Sequence, residues 1–344
     1  MLLAIVSQYG LAQVPITRTL NEMRQGDLLC KVEVDYVDPG SRGPEEVWRM
    51  GRITRQSKDF LQGIASNGDT IAIFEPDRIL HHVVYGDTLF DKGEQQRRAY
   101  RIYTQERPLM RYPFQYGDSI AGEYIGHGMD ENIQLSVQGW GYSVADGMGM
   151  LTDGEDSLMH ITRIHMFDDY TEDYGGQTTI RTFRNHYLWY CTGYRYPVME
   201  SFHYSLIQDD TLSIPMDSVS YMYLPVLQDY LGEDTVNDSL RTEIALADAI
   251  RQAAASEQGP LSSISASLSS DGMRLNISYT LSESGDVTFC ACDILGNMIG
   301  YNHYASQAAG DWQECLVLSR KPIGNALMLS IQCGEQIKSM KVYK

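Results

Sequence analysis

The chain lacks any run of some twenty apolar residues, so no segment has the length of a membrane-spanning helix. It has no Cys-x-x-Cys pair, and its six cysteines are spread over 344 residues. That excludes a disulfide-built scaffold and leaves zinc or thiol-redox chemistry without its usual spacing. Basic residues are scarce as well: 27 Lys and Arg face 45 Asp and Glu, a formal net charge of −18. An acidic surface repels phosphate backbones, so nucleic acid is not an expected partner. The imbalance is uneven. Residues 260–344 carry six basic and seven acidic side chains, whereas residues 201–240 carry seven acidic ones and no Lys or Arg.

What the sequence does hold is strand material. Tyr outnumbers Phe by 23 to 8, and Tyr suits strands whose surface stays partly wet. Leu158, His160, Thr162, Ile164 and Met166 alternate with Met159, Ile161, Arg163, His165 and Phe167, and residues 177–191 continue in the same style. With the polar stretch 168–176 between them, the two runs predict a long hairpin. Ile133, Leu135 and Val137 alternate too, and the apolar phase then moves to Trp140, Tyr142 and Val144, which predicts a bulge at Gly139. Gly68-Asp-Thr70, Gly86-Asp-Thr88 and Gly117-Asp-Ser119 read as turns.

One helix is expected over 239–256. Asn237-Asp-Ser239 offers capping side chains, Leu240, Ile244, Ala247 and Ile250 recur at helical spacing, and Gly259-Pro260 stops the run. The expected organisation has four parts. Residues 1–13, apolar at Met1–Val6 with small residues near Gly10–Gln13, read as the remnant of an export leader. Residues 14–205 form a β-rich domain, an antiparallel sandwich or meander. Residues 206–260 are an acidic linker with the helix. Residues 261–344 form an Ig-like sandwich of seven short strands, at 263–268, 273–281, 285–294, 297–304, 311–318, 326–333 and 336–343. The fold class is therefore all-β.

The last of these parts carries a specific likeness. Gly285-Asp-Val-Thr-Phe289, Asp293-Ile-Leu-Gly296, Gln307-Ala-Ala-Gly310, Pro322-Ile-Gly324, Leu327-Met-Leu-Ser-Ile331 and Lys338-Ser-Met-Lys-Val342 resemble the type IX secretion C-terminal sorting domain. The segment opens on Ser262-Ser-Ile-Ser-Ala rather than that family's Pro-Asn-Pro-like start. The resemblance implies a small β-sandwich appended to exported cargo of Gram-negative bacteria. It implies that Gly285, Asp293, Gly296, Gly310, Gly324, Lys338 and Lys341 belong to a signal read by the secretion machinery. Ala145-Asp-Gly-Met-Gly-Met-Leu151, His160-Ile-Thr-Arg-Ile-His165 and Trp189–Val198 resemble segments of uncharacterised cargo proteins that carry such a domain.

No residue set is catalytic by pattern. Ser119 precedes strand-like sequence rather than the helix a serine nucleophile needs. His81-His82 and His160…His165 cannot chelate from one strand, since adjacent residues and residues five apart face opposite sides. His160 and His186 could meet across the hairpin, without a third ligand. Asp153, Glu155, Asp156, Asp168, Asp169, Glu172 and Asp173 lack calcium-loop spacing. No metal or cofactor is expected. Trp140, Trp189, Tyr190, Tyr194 and Tyr196 are candidates for a sugar or peptide platform, with Tyr194-Arg195-Tyr196 the first place to look. The expected function is that of an exported surface or secreted protein of a Gram-negative envelope that binds or builds, with an unidentified glycan or protein ligand. The alternative is a secreted hydrolase acting on glycans or peptides.

Overall fold

The structure, a computed structural model, describes residues 14–343 except 55–56, 155–156, 216–217, 258, 294–296 and 324–325, with the side chains of 215 and 249–257 also excepted. The leader at 1–13, Gly296 and Gly324 lie outside the described residues. The chain divides into two compact units, 1–242 and 243–344.

The first unit is not the expected sandwich or meander. Its strands are β1 (Leu28–Val34), β2 (Gly43–Arg49), β3 (Asp59–Asn67), β4 (Thr70–Phe74), β5 (Arg78–Tyr85), β6 (Thr88–Gln96), β7 (Ala99–Arg111), β8 (Ser119–Asp130), β9 (Ile133–Thr152), β10 (Ser157–Asp173), β11 (Thr179–Cys191), β12 (Pro197–Gln208), β13 (Leu212–Pro215) and β14 (Val219–Met222). Twelve of them pair in the order β10-β11-β12-β14-β1-β3-β4-β5-β6-β7-β8-β9, and β9 pairs back onto β10. The sheet thus closes on itself into an antiparallel barrel, which removes both edges that a sandwich would have to protect. Strand β13 pairs antiparallel with the end of β12 that β14 leaves open, and β2 lies parallel to β9.

Two local features explain the closure. The segment 206–234 is not a free linker: β14 is a stave between β12 and β1, with Val32 opposite Met222 and Met199 opposite Met222 on the other side. Nor is there a bulge at Gly139, because β8 and β9 pair without a slip from Ser119–Val144 to Asp130–Ile133. Gly139 and Gly141 stay in the inward phase of Leu135 and Val137. A Cβ on Gly139 would sit 2.5 Å from the Tyr124 ring and 2.6 Å from Tyr170, and one on Gly141 would sit 2.7 Å from Asp168 Oδ1. Large inward side chains need these two gaps, and the aromatics Trp140 and Tyr142 fall on the outer face instead. The expected hairpin is β10–β11, but 168–173, expected as part of its polar connection, is strand, with Asp168 opposite Arg184 and Asp173 opposite Thr179, so the connection is only 174–178. The Gly-Asp-hydroxyl triplets are turns, with Gly68, Gly86 and Gly117 all at positive φ.

A twelve-stave ring is wider than aliphatic side chains can fill. Along β10–β11 the inward pairs are Ile164–Leu188, Met166–His186, Asp168–Arg184, Tyr170–Thr182 and Glu172–Ile180. The interior therefore passes from an apolar layer through a charged one to aromatic and ionic residues. At the apolar end, Ile16 and Phe114 share one buried cluster with Tyr196 and Tyr230. The short helix α1 (Arg18–Asn21) packs at that end: Asn21 Nδ2 donates to the carbonyls of Tyr194 and Arg195. The helix α2 (Thr235–Glu257) begins four residues earlier than expected.

The second unit has seven strands in two antiparallel sheets: β15 (Leu261–Leu268), β16 (Arg274–Leu281) and β19 (Gly310–Val317) in the first, and β18 (Met298–Gln307), β17 (Gly285–Asp293), β20 (Ala326–Cys333) and β21 (Gln336–Tyr343) in the second. Residues of both sheets, among them Leu275, Ile277, Phe289, Leu329 and Ile331, form one apolar core. All six cysteines are free thiols; Cys290 and Cys292 lie with Sγ atoms 3.9 Å apart.

Candidate functional site: the barrel interior

The staves bring together charged residues that are far apart in sequence. Lys31, inward on β1, is almost fully buried and places Nζ 3.0 Å from Glu75 Oε1 and against Glu200 Oε1 on β12. It also lies over the rings of Tyr221, Tyr223 and Phe60, at 4.8, 5.4 and 5.4 Å from their centroids. Glu75 carries a second cation, Arg78, at 2.6 Å, and Glu200 contacts His186 Nε2 at 3.1 Å. Burial alone would raise the Glu200 carboxyl, but Lys31 and His186 outweigh it and draw it down to about 2. Burial opposes the charged form of Lys31 too, and the two carboxylates prevail, raising its pKa. His186 is shifted down by burial despite Glu200.

The interior holds a second set of charges. Asp168, fully buried, serves two guanidiniums: its Oδ2 accepts from Arg184 Nε at 2.9 Å, and its Oδ1 lies 2.5 Å from Arg107 Nε outside hydrogen-bond geometry. Asp91 faces Arg107 at 3.9 Å, and burial lifts its carboxyl to about 6. His82, opposite Asp91 on β5, is pushed down to about 4 by burial and by Arg107, so its ring is neutral. Residues of both sets line a cavity of about 150 Å³, whose remaining wall is mostly apolar, including Leu29, Ile73, Leu89, Leu109, Met166 and Leu188. Arg107 Nη2 and His82 Nδ1 are buried without a hydrogen-bond partner. Buried polar atoms are nearly always paired, so two orphans on residues that line one cavity mark a place built for something that is not part of the chain.

The sequence candidates fall elsewhere. Arg195 does not stack at a surface. It is buried, forms a bidentate pair with Asp234 at 2.9 and 2.8 Å, and donates to the carbonyls of Thr19 and Glu22. Tyr196 is buried and donates to Asp27 Oδ2 at 2.6 Å, and Tyr194 lies under Arg241. The trio anchors the segments that pack on the barrel end, because a guanidinium with a matching carboxylate and two backbone acceptors is better satisfied inside than in water. Trp189 is wholly buried against Trp48 of β2, while Trp140 is 44% exposed on the outer face. His160 and His186 do not meet, since His186 stands opposite Met166. Among the described residues no group of three His, Cys, Asp or Glu side chains could hold a metal ion.

In the second unit, the Asp293 carboxylate is buried and accepts from Asn297 N at 3.0 Å and Arg320 Nη2 at 2.8 Å. Gly285 has no room for a side chain beside Cys333 Sγ, and Gly310 has positive φ. Lys338 and Lys341 lie on β21, the edge strand of its sheet, with Lys341 exposed.

The cavity residues carried a signal that pattern reading passed over. Asp168 and Glu172 share the inward phase of Ile164 and Met166, and Arg184 shares that of Leu188. A charge in the apolar phase of a strand either pairs inside or lines a cavity. No family model matches the chain, and no curated protein matches it either.

Proposed function

We propose that this chain is an exported cell-surface or secreted protein that acts by binding, with its barrel holding a small ligand inside and its second unit carrying a sorting signal. The observation that carries the binding half is the cavity with its two orphaned nitrogens. Space of this size holds a molecule about as large as benzene. That favours a binder over a glycan hydrolase, which must seat a sugar on each side of the scissile bond. Glu75 and Glu200, the two carboxylates facing one another across Lys31, are both held ionised. Neither is suited to act as a general acid. His203 Nδ1 and Ser218 Oγ are 2.8 Å apart, but that contact is exposed on the outer side and away from the cavity.

The outward residues Glu123, Gln138, Asp169, Thr171 and Arg181 make a polar groove on the barrel wall. A lipid-facing barrel needs an apolar band there, so the reading is of a barrel that stands in water. The export half rests on the sequence resemblance, and the placement of Lys341 on an edge strand leaves it accessible to secretion machinery.

Two experiments test the halves separately. Benzene at ten times its Kd is expected to stabilise the full chain by about 1.4 kcal/mol in thermal unfolding. Leu188→Trp, which fills the cavity, is expected to abolish that gain; a wild-type protein indifferent to benzene and to its polar derivatives alike contradicts the binding half. In a host with a type IX system, mass spectrometry of medium and cell surface is expected to find the intact chain exported. A chain lacking residues 338–344 is expected to stay inside, and unchanged export of that chain contradicts the sorting half.

A further inference from the structure

We infer that the barrel's ligand is an organic monoanion with a short apolar body, its oxyanion held by Arg107 and His82. This rests on the reading of the cavity as a ligand site. Three observations point to the class. First, Arg107 is only 3% exposed, yet its guanidinium is under-satisfied: Nε is misaligned on Asp168, Asp91 lies beyond hydrogen-bond range, and Nη2 has no partner. A buried guanidinium with a free edge is best matched by a carboxylate-like group. Second, with Asp91 protonated the charges leave room for one anion, a place that Asp91 itself fills once it ionises. Four cations, Lys31, Arg78, Arg107 and Arg184, line the cavity. Glu75, Glu200 and Asp168 are each engaged by cationic side chains, Asp168 by two at once. Third, beyond the charges the wall is mostly apolar, with Leu89, Leu109 and Leu188 beside the aromatic Tyr190 and Phe202, and its volume suits a body about the size of one ring.

His82 completes the recognition. It lines the same cavity, and its neutral ring donates one hydrogen bond without adding charge. Asp91 then tunes the affinity. Packed around it are His82 on β5, Arg107 and Tyr103 on β7, Asp168 on β10 and Arg184 on β11. A bound anion favours the protonated form of Asp91, so affinity falls as pH rises through about 6 and Asp91 ionises in the free protein.

The test is calorimetric titration of the full chain with benzoate, with benzamide as its neutral counterpart of the same shape, and with benzene. Benzoate is expected to bind at least tenfold more tightly than benzamide at pH 5.5, and its affinity to drop severalfold at pH 8. Arg107→Met is expected to bring benzoate down to the level of benzamide. Should that variant not fold, the wild-type pair of ligands decides alone. If benzene binds but benzamide matches or exceeds benzoate, the anion assignment is overturned while the binding cavity stands. If none of the three binds, both are overturned.

Discussion

The two units bury different things. Among the described residues, the second has one buried charged side chain, Asp293, beside an aliphatic and aromatic core. The first buries Lys31, Arg107, Arg163, Asp168, Glu172, Arg195, Glu200 and Asp234, among others. Replacing buried ion pairs by well-packed apolar groups is often neutral or stabilising, so a charged interior is not explained by stability. The second unit shows that this chain can build an apolar core of ordinary kind. The charges in the barrel are therefore best explained by what the barrel holds, and by a ring too wide for aliphatic filling.

That contrast can be broken in graded ways. The largest effect is expected from Lys31→Met, which leaves Glu75 and Glu200 buried beside each other without their shared cation. A loss of about 3–5 kcal/mol in denaturant unfolding is expected, and a loss below 1 would mean the network is dispensable. Leu329→Ala, in the core of the second unit, is expected to cost about 2–5 kcal/mol as a cavity. That cost should be the same at pH 4 and pH 8, since no titrating partner is involved.

A pH series separates the units more finely. The folded-state carboxyl of Glu200 lies at about 2, below its unfolded value. Its contribution is fully present above the unfolded value of about 4.3, and it is lost as pH falls through the folded one; the total is on the order of 2–3 kcal/mol. Glu200→Gln is expected to flatten this part of the acid-unfolding curve, and an unchanged slope would contradict the ion-pair assignment. Smallest is Trp140→Ala: the ring is 44% exposed on the outer wall, and a change of about 0.5 kcal/mol or less is expected.

Local pattern was legible in the sequence and closure was not. The hairpin β10–β11 follows from period-two alternation, and the seven strands of the second unit begin and end close to where glycine breaks place them. Nothing local announces that β9 will pair with both β8 and β10, nor that four residues in an acidic stretch will become a stave between β12 and β1. Closure is a property of the whole ring, set by pairings between residues nearly two hundred positions apart, such as Val32 and Met222. Gly139 misled for a related reason. In a sandwich an aromatic run marks the core face, but here Trp140 and Tyr142 face outward and the glycines face in, making space for Tyr124, Tyr170 and Arg107.

The cavity was hidden for the same cause. Lys31, Arg107, Asp168 and Glu200 sit on four different strands and Glu75 just past the end of a fifth, with no spacing motif to link them. Tyr194-Arg195-Tyr196 stood out because its residues are adjacent, and it proved to be an anchor.

The most direct test is a crystal structure of the full chain grown in the presence of benzoate. A closed twelve-strand barrel is expected with one benzoate inside, its carboxylate within hydrogen-bond distance of Arg107 and its ring against Leu188. An open sheet, or a barrel whose side chains have collapsed to leave no such space, would contradict it.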